Sequence, residues 1–391
     1  MIYRLTDEER HLQRVVRDFA EQVLAPLVPE AERLGRFPRA EVLPRMAELG
    51  LLSIGVPEAL GGAGGSSMMF CVVAEELARV CGGFAIAVMA PVLAPAALVA
   101  MTGGGGAAAT FLEPLLSGQV LPALAFTEPG GGSDLAGLRT TATRAASGRV
   151  LDGSKCFITG GPTADVFLVA AVRSELAAAP RDERARGLGL HVVLRGAPGL
   201  DCGPPLAKLG MRSSETGDLH LSGVHVPGGS GLAPRGEDRG FRAMLELLDF
   251  NRLYIAALSI GLARAAFEPS VAWVRERQAF GQPLARHQAS GFKVARMSLD
   301  IDAASALLER ACAARDAGER ATRLVSEAKL LATEAAVRVT ADALQLHGGL
   351  GYVEGHVVER AFRDARVGTI WEGTSEIQQQ IICRELSLYE A

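Results

Sequence analysis

The chain has 391 residues, 49% of them hydrophobic, with 44 acidic and 40 basic side chains and a net charge of −4. This length exceeds one ordinary hydrophobic core, so two or three domains are expected. The absence of a basic excess disfavours a nucleic-acid-binding protein. The six cysteines form no CxxC pair, which argues against a metal site or a disulfide framework and favours a reducing compartment, so a cytoplasmic protein is expected.

Residues 1–118 predict an all-helical domain. Thr6 and Glu9 form a capping box that starts a helix, and Pro26 and Pro29 are expected to mark its end. Further helical patterns cover residues 40–49, 68–80, 84–101 and a stretch that ends at 116. Two prolines interrupt the apolar run at 84–101, which favours a buried helix pair over a membrane span.

Residues 119–231 predict a β domain. Short runs rich in Val, Thr and Leu, separated by glycine turns, are typical of strands. They cover residues 120–126, 139–145, 150–151, 156–159, 166–172, 190–194 and 218–221. The polar segment 174–186 is expected to be an exposed hairpin loop. Because no helices alternate with the strands, a barrel or packed sheet is favoured over a parallel sheet.

Residues 232–391 predict a helical bundle. Helical patterns cover residues 241–278, 287–317, 322–346, 356–362 and 376–386. Pro269 lies inside the first of these and is expected to kink it. The sequence therefore predicts an α+β multidomain protein with an N-terminal all-α domain, a middle β-barrel or packed-sheet domain and a C-terminal four-helix bundle.

Near the C-terminus, Glu372 lies beside Trp371 on a bend before a helix, with Thr374 and Ser375 as its expected caps. A carboxylate next to a bulky aromatic side chain is poorly solvated, which raises its pKa and makes it a better base near neutral pH. For an isolated stretch, an exposed glutamate on a surface turn is the simpler interpretation. The role of Glu372 therefore depends on the other motifs.

Two segments of the β domain could hold an anionic or flat ligand. Three consecutive glycines lie between Thr127 and Ser133, and they allow backbone N–H groups to approach a ligand closely. A Gly-Ser turn alone is more often only a turn. Further along, Phe157 could stack on a flat ring and Thr159 could hydrogen-bond to it, although core packing is the alternative role for Phe157.

The order of these motifs resembles the acyl-CoA dehydrogenase family over nearly the whole chain, from about residue 6 to residue 386. The matching segments are 127–134, 157–159, 277–282, 287–288, 345–349 and 370–374. The resemblance implies the acyl-CoA dehydrogenase-like fold and the FAD-dependent α,β-dehydrogenation of an acyl thioester, from acyl-CoA to trans-2-enoyl-CoA.

The resemblance also implies roles for individual residues. Glu372 would abstract the α-proton while hydride passes to flavin N5, since Asn251, at the position that carries the base in some relatives, cannot act as a base. The residues implied in FAD binding are Phe126, Thr127, Gly132, Ser133, Phe157, Ile158, Thr159, Arg277, Phe280, His287, Gln288, Gln345, Gly348, Gly349, Thr374 and Glu376. Those implied in substrate binding are Ser133, Asp249, Arg252, Trp371 and Gly373. An ion pair with Asp249 is the alternative role for Arg252.

Completion of the FAD site across a subunit boundary implies a homo-oligomer, usually a tetramer built as a dimer of dimers. An electron-transferring flavoprotein or a similar protein would accept the electrons. Trp371 and Phe157 replace a frequent Tyr and a usual Trp, and together with Pro91 and Pro95 they leave the acyl chain and the thioester carrier open. The alternatives are an acyl-carrier-protein-tethered dehydrogenase of a biosynthetic pathway, an acyl-CoA oxidase and a non-catalytic flavin-binding homologue.

Overall fold

The N-terminal part of the chain is helical in the computed structural model, which describes residues 4–103, 105–228, 231–232 and 240–388. Its helices are α1 (Asp7–Phe19), α2 (Val28–Leu34), α3 (Arg39–Glu48), α4 (Ser67–Val80), α5 (Gly82–Ala87), α6 (Met89–Thr102) and α7 (Ala107–Leu116). The predicted capping box is present. Thr6 Oγ1 accepts from the N–H of Glu9 at 3.2 Å, and Glu9 Oε2 accepts from the N–H of Thr6 at 2.9 Å.

The prediction that Pro26 and Pro29 end the first helix is wrong. A π-helical turn (Ala20–Leu24) and a 3₁₀ turn (Ala25–Leu27) carry the chain from α1 directly into α2, which is capped by Gly35 with φ +62°. Pro29 lies in the first turn of α2, where a missing N–H leaves no helical hydrogen bond unmade. The 3₁₀ turn thus accommodates Pro26, and the first turn of α2 accommodates Pro29, although either proline would interrupt the interior of a regular α-helix.

The middle part is a curled sheet. Its strands are β1 (Pro122–Ala125), β2 (Thr141–Ala145), β3 (Gly148–Thr159), β4 (Val166–Arg173), β5 (Leu188–Leu194), β6 (Leu200–Cys202), β7 (Thr216–Pro227) and β8 (Gly231–Leu232). They are ordered β6-β7-β3-β2-β4-β5-β8, and β1 pairs in parallel with β4. Most neighbouring strands are antiparallel, which agrees with the predicted packed sheet.

Two local predictions in this sheet need correction. The runs at 150–151 and 156–159 belong to one strand, β3, which pairs with β7 across two register shifts. The glycine and polar residues between the runs hide this continuity, because bulges disturb the alternation that identifies a strand. The segment 174–186 does connect antiparallel β4 and β5, but it includes a short helix, α8 (Arg181–Arg186).

The C-terminal part is built on α9 (Gly240–Glu276), α10 (Gln288–Asp316) and α11 (Thr322–His347). The shorter helices α12 (Val357–Ala365) and α13 (Ser375–Glu385) pack on α11, and a small hairpin of β9 (Gln278–Ala279) and β10 (Gln282–Pro283) joins α9 to α10. Helix α9 is continuous through Pro269. It also packs on α4, where a Cβ at Gly261 would lie 2.3 Å from the Glu75 carbonyl oxygen.

Two described segments are long and apolar enough to cross a membrane, namely Gly82–Thr102 and Met244–Glu276. Their most apolar windows are 72% and 61% buried inside the protein. The first segment comprises α5 and α6, which form the helix pair that the sequence predicts. Both segments therefore supply core: Tyr254 of α9, for example, is fully buried and donates to Ala85 O at 2.8 Å.

Candidate active site

A cavity of about 1180 Å³ lies between the sheet and the helical bundle. The segment Ser133–Ala136 and Arg181 line it from the β domain, and side chains of α9, α11, α13 and the loop before α11 line it from the bundle. Of the predicted substrate contacts, Ser133, Asp249 and Arg252 line this cavity, whereas Trp371 and Gly373 do not. The volume is ample for an extended small-molecule ligand.

Arg252 connects the cavity to Glu372. Its Nη1 pairs with Asp249 Oδ1 at 2.5 Å, which is the ion pair that the sequence offered as an alternative, and its Nε donates to the Glu372 carbonyl oxygen at 3.3 Å. Asp249 also accepts from Thr322 Oγ1 at 3.2 Å. Arg252 is thus held through Nη1 and Nε. It connects the cavity, which it lines together with Asp249, to the backbone of Glu372, which is not among the lining residues.

Among the described residues, the carboxylate of Glu372 has one side-chain donor, the amide of Asn251, whose Nδ2 lies 3.3 Å from Glu372 Oε2. Asn251 is fully buried on α9. Burial raises the pKa of Glu372 above its ordinary value, and the amide of Asn251 and the cations of Arg252 and Lys329 counter only part of that rise. A weakly solvated carboxylate with a raised pKa fits the work of a general base.

The backbone around Glu372 has an unusual conformation. Glu372 has φ +49° and Gly373 has φ +86°, so two consecutive residues occupy the left-handed region. The positive φ at position 373 favours glycine, and a Cβ there would lie 2.5 Å from Gln378 Nε2 and would displace that side chain. Thr374 then caps α13, its side chain accepting from Ile377 N at 3.3 Å, while Ser375 is the first helical residue rather than a cap.

The segment after β1 is held by a buried ion pair. Lys155 Nζ donates to Glu128 Oε1 at 2.7 Å and to Phe126 O at 3.1 Å, and the N–H of Cys156 donates to Thr127 O at 2.9 Å. The carboxylate of Glu128 also accepts two backbone N–H groups, so its pKa stays below its ordinary value despite burial. These contacts fix the start of the glycine-rich loop, while Gly132 and Ser133 are exposed.

Phe157 points outward, contrary to a core role. Its side chain is 67% exposed and its φ is +57°, because the ladder between β3 and β7 shifts register between Lys155 and Ile158. The next residue, Ile158, is buried, and Thr159 is half-buried. The bulge therefore turns an aromatic ring out of the sheet beside the segment that starts at Thr127.

A second group of predicted cofactor residues lies at one end of the bundle. Arg277 stacks over Trp273, and Trp273 Nε1 donates to Leu346 O at 3.0 Å, which brings the ends of α9 and α11 together. Phe280 is 98% exposed and contacts His287 edge to face. The group comprises Arg277, Phe280, His287, Gln288, Gln345, Gly348 and Gly349. Among the described residues, no hydrogen bond joins it to segments 126–133 or 157–159, and none of its members lines the cavity.

Sequence reasoning missed three buried side chains of the site. Lys329 donates to the carbonyls of Gly368 and Gly373, at 2.8 and 2.6 Å. Gln378 Nε2 donates to the carbonyls of Glu372 and Gly373, at 3.2 and 3.0 Å. For Asn251, the sequence indicates only that it cannot act as a base, and it does not predict the hydrogen bond to Glu372. One signal was available: a lysine within the apolar stripe of α11 is unexpected unless its charge is paired.

Sequence profiles of the acyl-CoA dehydrogenase N-terminal, middle and C-terminal domains match residues 6–119, 123–224 and 238–387. The three domains occur in this order over almost all of the chain, and they coincide with the helical, sheet and helical parts of the fold. The chain belongs to the acyl-CoA dehydrogenase family. It therefore belongs to a family of flavoenzymes that bind FAD.

Known proteins that resemble the chain match it along nearly their whole length. A probable acyl-CoA dehydrogenase, YngJ, of Bacillus subtilis is 36% identical, over 99% of this chain and 100% of its own. The acryloyl-CoA reductase (NADH) of Anaerotignum propionicum is 37% identical, over 99% and 96%. The solved structure of butyryl-CoA dehydrogenase from Megasphaera elsdenii superposes with a TM-score of 0.91 at 33% identity, over 99% and 100%.

The described residues fit a flavin. The outward ring of Phe157 offers a flat face, and the exposed loop at Gly132 leaves its backbone open to an anionic group. At the end of the bundle, a Cβ built on Gly348 or Gly349 meets nothing within 4 Å, so a ligand can approach that backbone closely. Arg277 and Gln288 are exposed at the same end of the bundle.

Proposed function

We propose that the protein dehydrogenates an acyl-CoA thioester at its α,β-carbons, with Glu372 as the base that removes the α-proton. The observation that carries this proposal is the environment of Glu372: a carboxylate with a pKa raised by burial, one long side-chain hydrogen bond, and a backbone bound by Arg252, a residue that lines a large cavity. Bound FAD would supply the acceptor for the β-hydride.

The chain can also supply a donor for the thioester carbonyl. No acceptor among the described residues takes the backbone N–H of Glu372. An N–H next to the base can donate to the substrate carbonyl oxygen and stabilise the negative charge that develops when the α-proton leaves. The left-handed conformation at Glu372 would then serve to direct the carboxylate and this N–H toward the same substrate.

The cavity favours CoA thioesters as substrates. Arg181, Arg315, Arg320 and Arg384 line it together with Ser133. Arg181 and Arg320 pair with Asp134 and Glu385, which line it as well. Cations and hydroxyl groups along a channel suit the phosphates and amides of a CoA-like carrier. A carrier protein that presents a phosphopantetheine arm remains the alternative to test.

The exposed groups define two further surfaces. We propose that Arg277, Phe280 and Gln288 complete the FAD site of a second copy of the chain, so that the active form is a homo-oligomer. Phe157 lies at the outer surface beside the flavin segment, where an electron-transferring flavoprotein could approach the ring system. Cytoplasmic location is part of the same proposal, and the predicted domain limits at residues 118 and 231 stay predictions.

The test is anaerobic reduction of the bound flavin. The purified holoenzyme is mixed with short-, medium- and long-chain acyl-CoA and with the same acyl groups on carrier protein, and the flavin absorbance is followed. Bleaching with at least one acyl-CoA is expected. Failure with every chain length on both carriers would contradict the proposed activity, and bleaching only with carrier-bound substrates would replace CoA by the carrier protein.

The base is tested by Glu372→Gln. The variant should bind flavin normally, whereas flavin reduction should slow by ~10²- to 10⁴-fold, the range of a lost general base. Glu48→Gln makes the same chemical change at an exposed residue of α3 and serves as the control. Unchanged bleaching in Glu372→Gln would reject Glu372 as the base.

A second candidate is the reverse reaction, reduction of an enoyl-CoA, because one relative at 37% identity is named an acryloyl-CoA reductase. The same base would then return the α-proton. To distinguish the two directions, chemically reduced holoenzyme is mixed with enoyl-CoA and the reoxidation of its flavin is followed. Flavin reoxidation by enoyl-CoA that is faster than flavin reduction by acyl-CoA would favour the reductase.

A further inference from the structure

Lys329 is a buried cation in an apolar surrounding. It lies on α11 in the stripe of Val325, Ala328, Ala332 and Ala336, and it has no exposed surface. Lysine is almost never fully buried unless its ammonium group is paired. The contacts of its Nζ atom must therefore compensate for the loss of hydration.

These contacts lie on one short segment, residues 368–373, which we call the base segment. Nζ donates to Gly368 O at 2.8 Å and to Gly373 O at 2.6 Å, the two ends of the segment. A single ammonium group thus ties together the two ends of the stretch that carries Glu372. A compact, three-donor ammonium suits two carbonyls that converge on one point better than a planar guanidinium does.

Other donors act at one end of the base segment or the other. At the first end, Arg366 Nη1 donates to Thr369 Oγ1, and the N–H groups of Ile370 and Trp371 donate to Val367 O. Gln378 Nε2 reaches the carbonyls of Glu372 and Gly373, and Arg252 Nε reaches that of Glu372. Lys329 adds the contact at Gly368, 39 residues away from it along the chain. Of these donors, Lys329 alone contacts both ends, so it restrains the first end relative to the second.

The base segment needs this restraint because its conformation is unfavourable. Glu372 has φ +49°, a region that residues other than glycine rarely adopt and that persists only when the surroundings enforce it. Donors on the flanking carbonyls enforce it, since rotation at Glu372 would move Gly373 O away from both Lys329 and Gln378.

We propose that Lys329 is a positioning residue: its ammonium group closes the base segment and thereby fixes the direction of the Glu372 carboxylate and backbone N–H toward the substrate. This inference rests on the proposed role of Glu372 as the base. It assigns to Lys329 no contact with substrate or cofactor.

Electrostatics gives Lys329 a second effect on the same group. The charged groups that act on it are Glu372, Arg252, Glu376 and Glu334, from the base segment, α9, α13 and α11, and burial outweighs them and lowers the pKa of Lys329 to about 8. Lys329 is therefore a cation below pH 8, and that cation lowers the pKa of Glu372. Removal of the cation should raise the pKa of Glu372.

The experiment compares Lys329→Met with wild type in anaerobic flavin reduction at saturating substrate, over a range of pH. Methionine has a similar length without charge or donor. The expected result is a ~10- to 100-fold lower rate of flavin reduction, as for a misplaced base. The acidic limb of the pH profile should shift upward by about 1 unit, with KM and flavin content little changed.

Lys208→Met is the matched control, because Lys208 also donates to a carbonyl, that of Ser214 at 2.6 Å, but in the β domain. Lys208→Met should leave the acidic limb of the pH profile of flavin reduction at its wild-type pH. Should Lys329→Met fail to fold, Lys329→Arg, which retains the charge, and Gln378→Leu, which removes the neighbouring donor, provide the comparison. Lys329→Arg should keep the limb near its wild-type pH, and Gln378→Leu should lower the rate less than tenfold or so.

The outcomes separate this inference from the proposed function. Turnover retained in Glu372→Gln would reject the base itself. If Glu372→Gln abolishes flavin reduction while Lys329→Met leaves both the rate and the acidic limb unchanged, Lys329 has only a structural role and the inference is wrong. If Lys329→Met lowers the stability of the protein but does not shift the acidic limb, Lys329 again has only a structural role.

Discussion

Two buried lysine–glutamate neighbourhoods, one in the sheet and one in the bundle, use the same residue types for opposite purposes. In the sheet, Lys155 donates directly to Glu128, and that carboxylate also accepts the N–H groups of Arg139 and Thr140. In the bundle, Lys329 donates to backbone carbonyls and leaves the carboxylate of Glu372 to a single amide at 3.3 Å.

The number of donors decides what each carboxylate can do. Three donors lower the pKa of Glu128 below its ordinary value, so it remains an anion and fixes the start of the glycine-rich loop after β1. One long donor leaves burial as the dominant influence on Glu372 and raises its pKa. Of the roughly four lone-pair sites of a carboxylate, three donors leave Glu128 about one, whereas one donor leaves Glu372 about three for a substrate proton.

A third buried carboxylate, that of Asp364, does not line the cavity. It shows that burial raises the pKa of any carboxylate that has few hydrogen-bond donors. Asp364 on α12 is fully buried and accepts from Met211 N at 2.5 Å, but its second oxygen has no hydrogen-bond partner. Burial raises its pKa to about 6. Undersaturation thus marks a reactive carboxylate only where a cavity gives a substrate access to it.

The largest loss of stability is expected from breaking the ion pair between Lys155 and Glu128. Lys155→Met leaves the charge of Glu128 buried without its cation, so the free energy of unfolding should fall by about 3–5 kcal/mol. Urea unfolding of the variant would measure this, and flavin content should fall with it. In the double variant with Glu128→Gln the uncompensated charge is gone, so the loss should be smaller; an equal or larger loss would contradict the argument.

A smaller effect, of opposite sign, is expected from Asp364→Asn. Because the folded-state pKa of about 6 exceeds the unfolded value, the protonated form is favoured by folding, and wild type loses stability as the pH rises from about 4 to 6. The asparagine side chain does not titrate, so the Asp364→Asn variant does not lose stability over this pH range. It should be more stable than wild type by about 2 kcal/mol at pH 7–8, with the difference vanishing near pH 4. A difference independent of pH would show that titration of Asp364 is not its source.

The smallest effect is expected from Thr374→Ala. Loss of the cap of α13 should reduce the free energy of unfolding by about 1 kcal/mol, while Lys329 and Gln378 still hold the base segment. Thr6→Ala, which removes the cap of α1, provides a matched comparison. A shift in the acidic limb of flavin reduction in Thr374→Ala would mean that the cap, too, positions Glu372.

The sequence predicted features that depend on neighbours along the chain. The capping box at Thr6, the cap at Thr374 and the ion pair between Asp249 and Arg252 all join residues three positions apart, so local pattern suffices to find them. The order of the helical, sheet and helical parts follows from hydrophobic periodicity in the same way. The predicted strands and helices of the described residues are therefore largely present.

Features that depend on distant residues escaped prediction. Lys329 meets carbonyls 39 and 44 positions further along the chain, which no local pattern reveals. Phe157 faces outward because of a bulge that is set by pairing with β7. The irregular turns at Ala20–Leu27 include Pro26 and continue into α2, which the proline pattern alone did not predict. For Lys329 and Phe157, long-range contacts outweigh the local preference.

The scarcity of lysine has a consequence for the outer surface. The chain has only four lysines, and three of them, Lys155, Lys208 and Lys329, direct their amines at backbone carbonyls. Lys293, whose side chain is 40% exposed, pairs with Asp342. Lys155 and Lys329 are fully buried, so reagents that modify lysine side chains will be limited to the half-buried Lys208 and Lys293, and stray acyl transfer from a reactive thioester will find few lysines to acylate.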